Sequence, residues 1–258
     1  MRYLKYFSML SMMLVIPFFT IGGCDGTSNN DSNGGSSGNN GGNQPIVALA
    51  CPETNLSLTV CDPENGPFSL VIDNGFFPLV VGSRTVLEGI DDEDALIRVE
   101  IDVLDETEVV AGVTTRVVTE TEFEDEELVE ISRNFFAQAP DGTVCYFGED
   151  VDDFEDGEVV GNDGEWRAGE NGNLPGIFMP ADPQIGDVFS QEFAPGIALD
   201  QTEITDLGET FNSPFGTFTD TLSVIDCDPL DDGSSDDKIY VKDIGLALDA
   251  TAELISFE

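Results

Sequence analysis

Ile97, Val99, Ile101 and Val103 alternate with Arg98, Glu100, Asp102 and Leu104. A period of two puts one set of side chains on each face of an extended chain. On a helix the same residues would spiral around the axis and present no apolar face. The segment is therefore predicted to be a strand, and its neighbours repeat the pattern. Ala111-Gly112 turns the chain, and Val113 to Phe123 returns it with Arg116, Glu120 and Glu122 set among threonines and valines. Asp125-Glu126 turns it again, Leu128 to Gln138 runs back, and Pro140-Asp141-Gly142 leads into Thr143 to Phe147. Turn residues of this kind tolerate the tight backbone that joins antiparallel neighbours. Ala95 to Gly148 is thus expected to be a meander around which the rest is organised.

Further strand-like runs flank it. Ile46 to Leu49, Leu56 to Val60 and Thr85 to Gly89 precede it; Val188 to Phe193, Ala198 to Leu207, Gly216 to Ile225, Ile239 to Asp243 and Ala252 to Phe257 follow. Beyond the first two dozen residues no window shows helical periodicity. About ten to twelve strands with short turns predict an all-β, curved antiparallel sheet closed as a half-barrel, barrel or sandwich. Leu174-Pro175-Gly176-Ile177-Phe178-Met179-Pro180 is apolar but bracketed by prolines. Proline cannot donate to a ladder, so neither a central strand nor a helix is expected there. It is read as a loop packed on the core, with a lip over an apolar cavity as the functional alternative.

Charge limits function. Nine Lys and Arg face 52 Asp and Glu, a net charge of −43. Five arginines and two lysines beyond residue 23 cannot build a phosphate-binding patch, which excludes nucleic acid as a partner. The same charge repels an anionic membrane surface. High net charge also favours disorder, but 40% hydrophobic residues, 18 Phe among them, supply a core. The chain has no His. Ser-His-Asp and Cys-His catalysis and His-ligated zinc or haem are thereby removed.

Arg2 and Lys5 form a basic start, Tyr6 to Thr20 is apolar, and Ile21-Gly22-Gly23-Cys24 follows. This pattern is that of a secretory signal ending in a lipobox. It predicts a lipoprotein signal peptide over 1–23, with Cys24 acylated on its sulfur and new amine. Removing two cations and no acids leaves 7 − 52 = −45. Two or more acyl chains hold a protein stably at a membrane where one does not. Residues 24–44 carry the lipidated Cys and a Gly, Asn and Ser tether. Some twenty such residues span roughly 25 Å. Residues 45–258 are expected to form a single acidic β domain.

Four cysteines remain: Cys51, Cys61, Cys145 and Cys227. An exported chain can oxidise them, and three pairings exist. A local Cys51–Cys61 clip with a long-range Cys145–Cys227 staple is the favoured expectation. No C-x-x-C spacing supports a metal or redox site. Two acid-rich stretches, Asp150 to Glu158 and Asp226 to Asp237, are expected to be solvated loops. Neither fits the D-x-[DN]-x-[DN]-G calcium loop, since Phe154 and Leu230 fall where an acid or amide is needed.

Phe76-Phe77-Pro78-Leu79 with Gly82, Asn134 to Gly148, Trp166 with Ala168-Gly169, and Leu174 to Asp187 together resemble a broad set of exported bacterial β-sheet lipoproteins of uncharacterised activity. Pro214 to Phe218 and Tyr240 to Leu246 extend the likeness to roughly residues 76 to 250. Thr85-Val86-Leu87 departs from it where an aromatic pair is usual. The resemblance implies a curved antiparallel sheet and export; it implies no catalytic residue.

The function expected is that of a non-enzymatic, membrane-anchored envelope lipoprotein, held at the inner or outer membrane by its lipid and binding an apolar small molecule or a protein. No cofactor is expected, with calcium the exception under one alternative, a calcium-dependent surface domain. A carboxylate-based hydrolase acting on glycans is the other alternative. It would need two acids about 5–9 Å apart in a cleft.

Overall fold

A computed structural model describes residues 51–231 and 234–258. The predicted signal peptide and tether, Cys24 and the Ile46–Leu49 run lie outside the described residues. The chain opens with two 3-10 turns, Leu58–Cys61 and Pro63–Asn65, where sequence patterning predicts a strand over Leu56 to Val60. The side chain of Ser57 accepts from the Thr59 amide, a local bond that competes with strand pairing. Asn55 and Leu56 also donate to the Val188 carbonyl, and Cys61 is drawn fully into the core.

After a short hairpin of β1 (Ile72–Asp73) and β2 (Pro78–Leu79) the predicted meander is found. β3 (Arg84–Ile90), expected ahead of the meander, pairs antiparallel with β4 (Leu96–Val110), and the meander itself is β4, β5 (Val113–Glu124), β6 (Glu127–Gln138) and β7 (Val144–Glu155), each antiparallel to the next. The turns fall where expected: Ala111, Gly112, Asp125, Glu126 and Gly142 all have positive φ. Ile97, Val99, Ile101 and Val103 are buried, and Arg98, Glu100, Asp102 and Leu104 are half-buried. Asp150 to Glu158 is not a loop. It continues β7 and turns at Asp156-Gly157 into β8 (Glu158–Gly161).

Next come β9 (Trp166–Arg167) and β10 (Gly176–Met179), both paired with β7. The proline-bracketed segment therefore holds a buried strand. Pro175 and Pro180 flank it at the end of the sheet, where few ladder donors are required. The second half comprises β11 (Val188–Ser190), β12 (Gln201–Leu207), the small hairpin of β13 (Phe211–Asn212) and β14 (Thr217–Phe218), then β15 (Thr221–Asp228), β16 (Ser234–Val241), β17 (Gly245–Asp249) and β18 (Ala252–Phe257). The second acidic stretch is likewise the β15–β16 hairpin rather than a free loop.

β18 pairs antiparallel with β3, setting Leu254 against Leu87 and Phe257 against Thr85. This joins both halves in one 14-stranded sheet running β10-β7-β6-β5-β4-β3-β18-β17-β16-β15-β12-β11, with β8 and β9 beside β7. The two ends approach without closing. A single bridge links Leu174 and Phe193, and Gly176 lies so near Gln191 that a Cβ there would sit 1.7 Å from its carbonyl oxygen. The sheet curls into a seam-open barrel whose two layers share one interior.

All four cysteines are oxidised, but not in the expected pairs. Cys51 joins Cys227 and Cys61 joins Cys145. A 3-10 turn replaces the strand that would have set up a local clip, and Cys61 faces β7. Both bridges therefore tie the N-terminal segment onto the sheet, one to each half.

Gly148 has φ +121°, and a Cβ there would lie 2.2 Å from the Trp166 carbonyl oxygen. Gly157 has φ +78° with open space around it. Gly157→Ala should cost about 1–2 kcal/mol in urea unfolding, the strain of the left-handed backbone alone. Gly148→Ala should cost at least twice as much.

Candidate functional site

The interior between the layers has an aromatic end and an acidic end. At the first, Phe77 wedges in from the β1–β2 hairpin. Its ring centre lies 4.3 Å from Phe178, 5.3 Å from Phe136 and 6.3 Å from Tyr240. Phe136 stacks on Tyr146 at 4.9 Å, and Trp166 meets Tyr146 edge-on at 5.3 Å. Phe136, Phe178, Tyr146 and Tyr240 are each at most 1% exposed. Asn74 holds the hairpin in place, accepting from the Phe76 and Phe77 amides and donating to the Pro180 carbonyl. These rings pack against one another and fill the aromatic end.

At the other end the same alternation carries acids inward. On β5 Glu120 and Glu122 follow Val118; on β6 Glu130, Ser132 and Asn134 precede Phe136. Register sets Glu122 beside Glu130, Glu120 beside Ser132 and Asn134 beside Glu149 of β7. Tyr146 donates to Asn134 at 2.7 Å. From the opposite layer come Asp228 of β15, Lys238 and Tyr240 of β16 and Asp249 of β17, with Glu192 and Asp200 from the β11–β12 connection. Eight carboxyl groups, Glu120, Glu122, Glu130, Glu149, Glu192, Asp200, Asp228 and Asp249, are thus no more than 6% exposed. Among the described residues two cations are buried, Lys238 at 4% and Arg116 at 8% exposed. Arg116 reaches Asp105 at 3.6 Å and donates to the Leu104 carbonyl, while Lys238 stands among acids of the opposite layer.

Lys238 Nζ is 3.2 Å from Asp226 and 3.5 Å from Asp249. Burial pulls its ammonium down, but the two carboxylates outweigh burial and hold it above the ordinary lysine value. Burial pushes Asp249 up to about 6 against the pull of Lys238. Around Glu122, Glu149 and Glu192 the strongest neighbouring charges are other carboxyls. Desolvation first, and then Glu130, Glu120 and Asp249, push Glu122 well above the carboxylate range. Desolvation and Glu192 do the same to Glu149. Desolvation and Asp200 raise Glu192, although its Oε1 accepts from Trp166 Nε1 at 2.9 Å.

Among the described residues no three Asp, Glu, Cys or His side chains gather to hold one metal ion. Shallow hollows occur on the surface. One of about 320 Å³ is lined by Glu88, Leu96, Arg98, Glu100, Phe123 and Glu126; another of about 460 Å³ lies beside Pro67, Phe68 and Val113. No helix among the described residues is long and apolar enough to cross a membrane.

No family model matches the chain, and no curated protein matches it. Two solved structures are similar to it. One is a Bacteroides fragilis protein provisionally described as exported, with a YmcC-like fold: 14% identity, 72% of this chain and 99% of that one covered, TM-score 0.32. The other is a Parabacteroides distasonis protein provisionally described as a lipoprotein: 14% identity, the same coverages, TM-score 0.30.

The interior acids were not singled out in the sequence, where Glu120 and Glu122 pass for solvent-facing alternates. The signal available was the apolar content of the opposite register, Val117 and Phe135, which leaves neither face of β5 or β6 wholly polar.

Phe77→Ala should destabilise the fold by about 3–5 kcal/mol in chemical unfolding, because the wedge has no substitute. Lys238→Met strands Asp226 and Asp249 in the interior and should cost about 3–5 kcal/mol at pH 7.5. That loss should shrink at pH 5, where Asp249 takes up a proton.

Proposed function

We propose that the chain is a non-enzymatic lipoprotein of the cell envelope, tethered through Cys24, whose β body works at its outer surface on a protein partner. The observation that carries this reading is the filled interior. Phe77, Phe136, Phe178, Tyr146 and Tyr240 occupy the space an apolar ligand would need, so the surface is what remains for recognition. A glycan-cleaving carboxylate pair must reach its substrate through a cleft. Glu149 and Glu192, which lie near one another, are at most 2% exposed and favour no such chemistry. No resident cofactor is required; a structural calcium ion is the alternative.

The lipobox supports the anchor, and the polar tract behind it supports a tether that leaves the body free to turn. The acidic surface fits a basic or salt-screened partner, since charge complementarity sets encounter rate and selects against anionic surfaces. Expressed in a bacterium with labelled palmitate, the chain should take up label and sediment with membranes, and Cys24→Ala should abolish both. Organic extraction of the purified protein should yield no stoichiometric apolar molecule. Label-free protein, or a bound lipid at one per chain, would reject this assignment.

A further inference from the structure

We propose that the acid-lined interior is a proton-binding site: Glu122, Glu149 and Glu192 are un-ionised carboxylic acids in the neutral-pH fold, and stripping their protons loosens the two layers. This inference does not depend on the membrane anchor.

Geometry carries it. Eight buried carboxyls cannot all be anions where, among the described residues, Arg116 and Lys238 are the buried cations, because each isolated buried charge costs several kcal/mol or more. Something must neutralise them. The side chains do not gather in threes around one point, so a metal ion is not prefigured. Protons need no such convergence.

Partnerless polar atoms point the same way. Tyr240 is 1% exposed, its hydroxyl has no hydrogen-bond partner, and it feels Asp226, Lys238, Asp249 and Glu120. Glu122 Oε1, Glu149 Oε2, Glu192 Oε2 and the Gln191 amide oxygen are also buried without a donor. Ionised acids can only accept. A protonated carboxyl becomes a donor, and in that form the same group can satisfy an oxygen beside it.

The charged groups facing each acid come from every neighbouring element. Glu122 faces Glu120 on its own strand, Glu130 on β6 and Asp249 on β17. Glu149 faces Glu192, Glu130, Glu120 and the Tyr146 hydroxyl. Glu192 faces Asp200 and Asp228. None of these neighbours is a cation. Burial and like charge raise all three acids above their unfolded values.

The sign follows. Between the unfolded and folded values the native state holds more protons than the unfolded chain, so stability falls as pH rises. It is fully present below about pH 4.5 and is lost toward the raised folded values. Surface carboxylates are already ionised above about pH 6 and contribute no slope there.

The test is thermal and urea unfolding from pH 6 to 9 in 0.5 M NaCl, beside infrared spectra of the folded protein in the carboxylic-acid C=O region. The folding constant should fall with pH, approaching tenfold per pH unit for each proton still held. An un-ionised acid band should persist at pH 7.5 and vanish on unfolding. Glu122→Gln and Glu149→Gln, neutral copies of the acid form, should each weaken the band. Each should also raise the midpoint above wild type at pH 9 while leaving it close to wild type at pH 5.

Flat or rising stability across this range would overturn the proposal. So would a folded protein with no acid band at pH 7.5. Millimolar Ca²⁺ added to chelator-treated protein should leave midpoint and band unchanged. A raised midpoint with loss of the band would assign the interior to a cation instead. Should both Gln variants fail to fold, the wild-type slope and band still decide.

Discussion

The ladder between β18 and β3 is the constraint on which the rest of the structure depends. It joins the last strand to β3, the strand that leads into the meander, so two hairpin stacks become one sheet. A sheet of this length twists and curls. Its ends then meet near Gly176 and Gln191 without full pairing, and two layers enclose a common space. Each disulfide secures a different half to the same N-terminal segment, Cys145 on β7 and Cys227 on β15. The bridges thus hold the sheet across its opening as well as along its length.

What fills that space divides its physics. The aromatic end is stabilised by dispersion and by removal of ring surface from water, with Phe77 inserted from outside the main sheet. The acidic end is stabilised only under conditions that neutralise it. Lys238 balances Asp226 and Asp249, and Glu122, Glu149 and Glu192 are pushed toward the acid form by the same burial that the aromatic end exploits. One curl of backbone therefore produces both a conventional core and a proton-dependent one. The outer face, where Arg84 grips Asp102 with two bonds and Arg98 pairs with Glu100, is left to solvent and to partners.

Much of the fold was legible in the sequence because strand patterning is local. Val99, Ile101 and Val103 declare a buried face by their spacing, and Ala111-Gly112 and Asp125-Glu126 declare turns by the backbone they allow. Leu56 to Val60 misled because Ser57 offers the backbone a closer partner than another strand. Gly176 to Met179 misled because prolines at both ends look like interruptions when they are boundaries. The interior acids were hidden for a deeper reason. Alternation shows that Glu120 and Glu122 share a face, but a polar face is read as wet unless something across from it is known.

By itself the sequence determined an all-β body, its meander, its turns, its lack of imidazole chemistry and the oxidation of four cysteines, since each follows from residue type and near-neighbour spacing. Tertiary structure alone decided which cysteines meet, which strands face one another and that eight acids are buried between the layers. Those outcomes depend on pairings far apart in the chain, 84 positions for Cys61 with Cys145 and 176 for Cys51 with Cys227, and no local pattern encodes them.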